Sequence, residues 1–191
     1  MQPLIEIIYM SRSTFTPTSL VMRIEPNVAR ILAKSRINNK RNGLVGVLYF
    51  GDGCFFQCLQ GEETAVDALY ALLQTDNRHR DLKLFSRKPI SALAYADWSM
   101  KYVPIEKDMT RLLEKAGYQK FDPYQFNDAM IQSVMSLLQN SADPTTDSKV
   151  EKMIQQSIES PAAINSKLRW SFVAIIALIV ALGIMVFKQQ K

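Results

Sequence analysis

The chain has 191 residues, 48% of them hydrophobic and 21% charged, enough to bury one good-sized core with a short appendage. Its formal charge of +5 is dispersed over Arg36, Lys40 and Arg41, then Arg78 and Arg80, then Lys83, Arg87 and Lys88, which argues against a nucleic-acid footprint. Two cysteines and one histidine, His79, leave too few ligands for a zinc site.

In chain order, Leu4 to Met10 is an isoleucine-rich run interrupted once by Glu6, and it predicts a strand ended by the loop around Thr14 to Thr18 with Pro17. The same stretch lacks a basic leader, so the first domain is expected to stay in the cytoplasm. From Pro26 to about Ile37, Val28, Ile31, Leu32 and Ser35 follow helical spacing, with the proline suited to a first turn. Leu44 to Phe50 and Cys54 to Leu59 are β-prone runs joined by Gly51-Asp52-Gly53, a hairpin signature. Cys54 and Cys58 share a face of that strand, too far apart for a relaxed disulfide, and read as core thiols of a reducing compartment.

Glu62 to Leu73 places Val66, Leu69, Tyr70 and Leu73 on one helical face, and strand-like runs follow at Leu82 to Phe85 and Tyr95 to Tyr102. The order β-α-β-β-α-β-β predicts an α+β fold, a ferredoxin-like sheet with helices on one face, over residues 1–102. An extension over 103–139 predicts two amphipathic helices, Met109 to Ala116 and Tyr124 to Leu138. A polar linker, 140–166, leads to Trp170 to Phe187, 18 residues without a formal charge. That length approaches the roughly 20 residues needed to span a hydrocarbon core. With Lys167 and Arg169 before it, Lys188 and Lys191 after it and Trp170 at its boundary, the segment 167–188 predicts one transmembrane helix. Ala174, Ala177 and Ala181 share a face that would let two copies approach, although alanines are also common by chance in an apolar run.

No catalytic constellation stands out in the first domain, neither a metal cluster nor a glycine-rich phosphate loop. What does stand out is Tyr9 at the end of the first strand and Gln57 within the third, polar groups in apolar strands that are neighbours in a ferredoxin-like sheet. An unpaired buried polar group costs about 1 to 3 kcal/mol, which a bound polar ligand would relieve. Alternatively, Tyr9 bonds a backbone carbonyl and Gln57 faces solvent. Asn38-Asn39 also reads as a helix end, and Arg78-His79 as a solvated loop.

The segments Ile7-Ile8-Tyr9-Met10-Ser11, Ser35-Arg36-Ile37-Asn38-Asn39, Gly43 to Tyr49, Phe55-Phe56-Gln57-Cys58-Leu59-Gln60-Gly61, Asp76-Asn77-Arg78-His79 and Trp98-Ser99-Met100 resemble, in order and spacing, the BLUF family of blue-light sensors. The resemblance covers about half the chain. It implies a flavin, FAD or alternatively FMN, between the two helices, with its ring edge near Tyr9 and Gln57. Asn39 and Asn38 would hold its polar edge, Ile31 and Leu48 would sandwich the ring, and Ser11 and Ser35 would line the site. Arg78 and His79 would lie toward the phosphates. Val45 departs from the family's usual threonine, and Gln60 from the glutamate of its Leu-Glu-Gly signature.

The family's mechanism is a switch without turnover: light makes the flavin an oxidant, Tyr9 gives an electron and then a proton through Gln57, and the glutamine amide is left rearranged. Trp98 and Met100 resemble the output pair that would reposition the helices after Pro104. The resemblance implies a non-enzymatic photoreceptor acting on a downstream protein, and the apolar segment 167–188 adds a membrane tether, with self-association as a further expectation. The competing readings are a flavin oxidoreductase and a membrane-tethered adaptor without photosensing.

Overall fold

The computed structural model describes residues 2–16, 24–95, 99–103 and 106–143. Its elements in order are β1 (Leu4–Ser13), α1 (Pro26–Arg41), β2 (Val45–Gly51), β3 (Cys54–Glu62), α2 (Glu63–Gln74), β4 (His79–Ile90), β5 (Lys101–Tyr102), α3 (Glu106–Lys115), a 3-10 turn (Pro123–Gln125) and α4 (Asp128–Asn140). The strands form one sheet in the order β4-β1-β3-β2-β5, antiparallel except for the β2–β5 pair. This is the expected ferredoxin-like arrangement with β5 added beside β2.

Local chemistry sets the boundaries. Pro26 opens α1, the Glu25 carboxylate accepts from Val28 N at 2.9 Å, and Gly43, at a φ of +66°, takes the chain out of the helix. In the β2–β3 hairpin Gly51 pairs with Cys54, so Asp52 and Gly53 are the two loop residues, and both have positive φ (47° and 75°). That backbone is the one an Asp-Gly loop favours. At the start of α4 the Asn127 side chain accepts from Met130 N at 2.8 Å.

Both faces of the sheet are covered. Ile8 and Met10 of β1, Val47 and Tyr49 of β2, and Cys54, Phe56 and Cys58 of β3 pack with Met109 and Leu113 of α3 and Met130, Ile131, Val134 and Leu138 of α4. Alternation sends Tyr9, Leu48 and Gln57 to the other face, where Tyr70 of α2 meets Tyr9. The expectation of helices on one face thus holds for α1 and α2, while the C-terminal helices close the second face. Cys54 and Cys58 are buried free thiols of that second core, as expected.

All five strands depart from their expected limits, β2 by one residue at each end and β3 by continuing to Glu62. β1 continues to Ser13. β4 runs from His79 to Ile90 because an edge strand pairs through its backbone and tolerates the exposed Arg80, Lys83, Arg87 and Lys88 that break the apolar pattern. β5 is only Lys101–Tyr102, so Met100 precedes the strand, and Trp98 lies outside the described residues. The reason is that carbonyls just before β5 are taken by side chains of α1: Ser99 O accepts from Asn39 and Met100 O from Arg36. On α2 only Val66 of the expected face is fully buried. Among the described residues no helix is long and apolar enough to cross a membrane, and the expected span 167–188, its alanine face and most of the linker lie outside them.

Candidate functional site

The site grows from one cross-strand row. Tyr9 of β1 stands directly opposite Gln57 of β3, and Gln57 opposite Leu48 of β2. All three are buried, at 1%, 3% and 0% exposure. β1 pairs irregularly with β4 on either side of Tyr9, between Ile8 and Tyr9 and between Met10 and Arg12. Such bulges re-aim side chains near functional sites.

Burial pushes the Tyr9 phenol well above its ordinary range, with Cys58 and Tyr70 adding to the effect, so Tyr9 is a neutral O–H donor at any physiological pH. The Tyr70 ring packs edge-on against it, 5.8 Å between centroids at 71°. Gln57 Nε2 is buried with no hydrogen-bond partner among the described residues. A buried amide nitrogen without an acceptor costs about 1 to 3 kcal/mol, so this atom marks where a ligand acceptor is missing.

Two residues along β1 on the same face, Ser11 is fully buried, and its Oγ lies 2.8 Å from His79 Nδ1. His79 opens β4 with its ring 4.8 Å from that of Phe55. Burial lowers its pKa, and the opposing effects of Asp76 and Arg78 are smaller. Arg78 is half-buried and engaged by Asp76, whose carboxyl it holds down at about 2.

On α1, Ile31 is buried at 4% exposure, while Ser35 and Asn38 are half-buried. Asn39, at 1%, donates from Nδ2 to Ser99 O at 2.8 Å. Asn39 is therefore already tied to the backbone just before Met100, itself buried at 2%. Tyr9, Gln57 and Leu48 form one row, Ser11 and His79 one hydrogen-bonded pair, and Asn39 and Met100 meet through residue 99.

Four residues of this neighbourhood were not singled out from the sequence: Tyr70, Arg36, Lys101 and Asp143. Arg36 donates from Nε to Met100 O at 3.1 Å and pairs through Nη2 with Asp143 at 2.9 Å. Asp143 also accepts from Tyr102 N at 3.0 Å. Lys101 Nζ donates to the carbonyls of Leu138 and Gln139, both at 2.9 Å. A lysine and an aspartate inside otherwise apolar packing are signals, but only Lys101 sits in a run that reads as a strand.

The residues fit a flavin. The orphan amide of Gln57, the Tyr9 hydroxyl and the amides of Asn38 and Asn39 offer both donors and acceptors to a polar ring edge, and Ile31 and Leu48 offer apolar surface. Residues 4–101 match the family model described as "Sensors of blue-light using FAD". A stretch of 95 residues is 30% identical to the photoactivated adenylate cyclase subunit beta of Euglena gracilis, covering 50% of this chain and 11% of that protein. The chain thus spans about a tenth of these much longer curated relatives. Among solved structures, BlsA in its ground state matches with a TM-score of 0.67 at 28% identity, over 78% of this chain and 98% of that one. The dark-state structure of BlrB, a BLUF protein, matches with a TM-score of 0.54 at 28% identity, over 72% and 98%. With residues 4–101, just over half its length, matched by that family model, the chain belongs to the BLUF family, sensors of blue light that use FAD.

Proposed function

We propose that this protein is a membrane-tethered blue-light photoreceptor that acts without catalysis, passing a light-driven change at Tyr9 and Gln57 through the C-terminal helices to a downstream protein. The single observation that carries the reading is the directly opposed Tyr9–Gln57 pair with the Gln57 amide nitrogen buried and unpartnered. When bound, the flavin supplies blue absorption and, once excited, oxidising power. Tyr9, held protonated, would be the source of an electron and a proton, and Gln57, directly opposite it, would be the amide that relays the proton. Because its oxygen accepts and its nitrogen donates, rotation or tautomerisation of Gln57 rewrites the hydrogen bonds with no covalent bond to the protein.

Asn39, Asn38 and Ser35 would hold the ring's polar edge, Ile31 and Leu48 its faces, and Ser11, Arg78 and His79 the chain toward the phosphates. Met100 and, beyond the described residues, Trp98 would form the output pair. Support for the route comes from Arg36 and Asn39, which bind the carbonyls of Met100 and Ser99, and from Lys101 and Asp143, which bind the end of α4 to β5. Residues 167–188 would anchor the protein, leaving the flavin domain in the cytoplasm. The test is spectroscopic: the full-length protein purified in detergent is yellow and shows a reversible red shift after blue light. A colourless protein, or bleaching that depends on an added reductant substrate, refutes the reading.

A further inference from the structure

Three rungs along the β1–β3 ladder from Tyr9 and Gln57, Glu6 and Gln60 stand opposite each other. Three is odd and side chains alternate, so this second pair points to the other face of the sheet, toward the C-terminal helices. Both are buried, Gln60 at 2% exposure and Glu6 at 5%. The Gln60 amide uses both ends: Nε2 donates to Glu6 Oε2 at 2.6 Å, and Oε1 accepts from Ala94 N at 2.7 Å. Lys88 Nζ of β4 lies 3.0 Å from Glu6 Oε1. The other titratable groups facing Glu6 are Cys58 of β3 and Tyr95, next to Ala94, and burial raises both above their ordinary ranges. The charged side chains of α3 and α4 are exposed to solvent.

Ala94 is the fourth residue of the connection from β4 to β5, and the far end of that connection is held at Ser99 and Met100 by Asn39 and Arg36. One strand pair therefore carries the photoactive residues on one face and an anchor for the output segment on the other. The position needs a group that donates to a carboxylate and accepts from a backbone N–H at once, which an amide does and an ionised carboxylate cannot. That requirement accounts for glutamine where the family signature has glutamate.

We propose that Gln60 is a positioning residue for the light response, tying the β4–β5 connection to the strand pair that bears Tyr9 and Gln57 through its simultaneous bonds to Glu6 and Ala94. The inference rests on the photosensor reading. In Gln60→Glu the acceptor for Ala94 N is kept and the donor to Glu6 is lost. Two carboxylates then share one buried site, and one of them takes up a proton with a raised pKa. In the exchanged pair, Glu6→Gln with Gln60→Glu, donor and acceptor trade places and the bond returns.

The experiment measures, on the full-length protein, hydrogen exchange at the Ala94 amide in darkness and under blue light, and the dark-recovery rate of the red shift against pH. Exchange at Ala94 is expected to rise roughly tenfold in light, as its bond to Gln60 loosens. The recovery rate of Gln60→Glu, taken relative to the parent to remove other titrations, is expected to change about fivefold or more between about pH 6 and about pH 9. The exchanged pair should follow the parent. An Ala94 amide indifferent to light overturns the proposal, as does a flat ratio for Gln60→Glu or an exchanged pair that keeps the pH dependence. Should Gln60→Glu not fold, the Ala94 exchange in the parent decides. A parent without any red shift overturns the photosensor reading itself, and this inference with it.

Discussion

The Arg36 guanidinium on α1 and the Asp143 carboxylate just past α4 meet at 2.9 Å, with the Asp143 side chain fully buried. The same Asp143 oxygen accepts from Tyr102 N, and Arg36 also binds Met100 O, so this pair joins α1 to the chain leaving the C-terminal helix. Lys101 reinforces the link by donating to carbonyls at the C-terminal end of α4, where cations are favoured. Removing one partner of a buried pair leaves the other charge uncompensated, at a cost of about 3 to 5 kcal/mol. Arg36 keeps some access to water, so Asp143→Ala is expected near the lower figure, about 3 kcal/mol. Urea unfolding checks it, and a loss below about 1 kcal/mol would class the pair with exposed salt bridges.

Tyr9→Phe keeps the ring that packs against Tyr70 while deleting the hydroxyl, the source of the proton. The variant should retain flavin and lose the light-induced shift. Gln57→Leu, which has no donor or acceptor ends, should lose it as well. Absorption spectra before and after a blue flash decide the matter, and a normal photocycle in Tyr9→Phe would remove Tyr9 from the mechanism.

Asn39 is buried and holds Ser99 O, so Asn39→Ala strips one donor from the connection ahead of Met100 and, on the proposed reading, one from the flavin site as well. A polar ring edge left without its partner costs about 1 to 3 kcal/mol, so on the proposed reading flavin retention after gel filtration should fall by a corresponding five-fold or more. Full occupancy would mean that Asn39 serves only the connection.

How much of this was legible beforehand depends on whether a residue's role is local. Tyr9 and Gln57 stand out because each interrupts an apolar strand, and the strand order that makes them neighbours follows from the sequence of elements. The hairpin is equally legible, since Asp52-Gly53 chooses its own backbone. Asp143 is not: it sits in a polar run beyond α4, and Arg36 and Tyr102, with which it pairs, are far away in sequence. β4 is half legible, because an edge strand satisfied through backbone pairing does not need the apolar alternation that reveals a core strand. Gln60 shows as a departure from a family pattern, but its reason appears only when Glu6 is placed across from it.

His79 gives the site a pH signature. Burial is the main cause of its lowered pKa, so the folded protein binds a proton less readily than the unfolded chain. The sign follows from linkage: the contribution is fully present above the unfolded value of about 6.5 and is lost as pH falls below it toward the folded pKa. Thermal stability should therefore drop between about pH 7 and about pH 5, and the part of the drop due to His79 should vanish in His79→Gln. A drop of equal size in that variant would assign the effect to other groups. The Ser11 hydroxyl, 2.8 Å from Nδ1, is the hydrogen-bond partner of that ring.

The last expectation concerns residues 170–187, whose 18 positions hold no formal charge and whose flanks are basic on both sides. A helix apolar on every face is stable within a large protein core or within lipid. Charge bias does not set the orientation, since Lys167 and Arg169 precede the span while Lys188 and Lys191 follow it. Truncation after residue 165 should release the protein into the soluble fraction with its red shift intact. Full-length protein should stay with membranes in alkaline carbonate. If it washes off, the segment is not a transmembrane helix and must be buried against another protein instead.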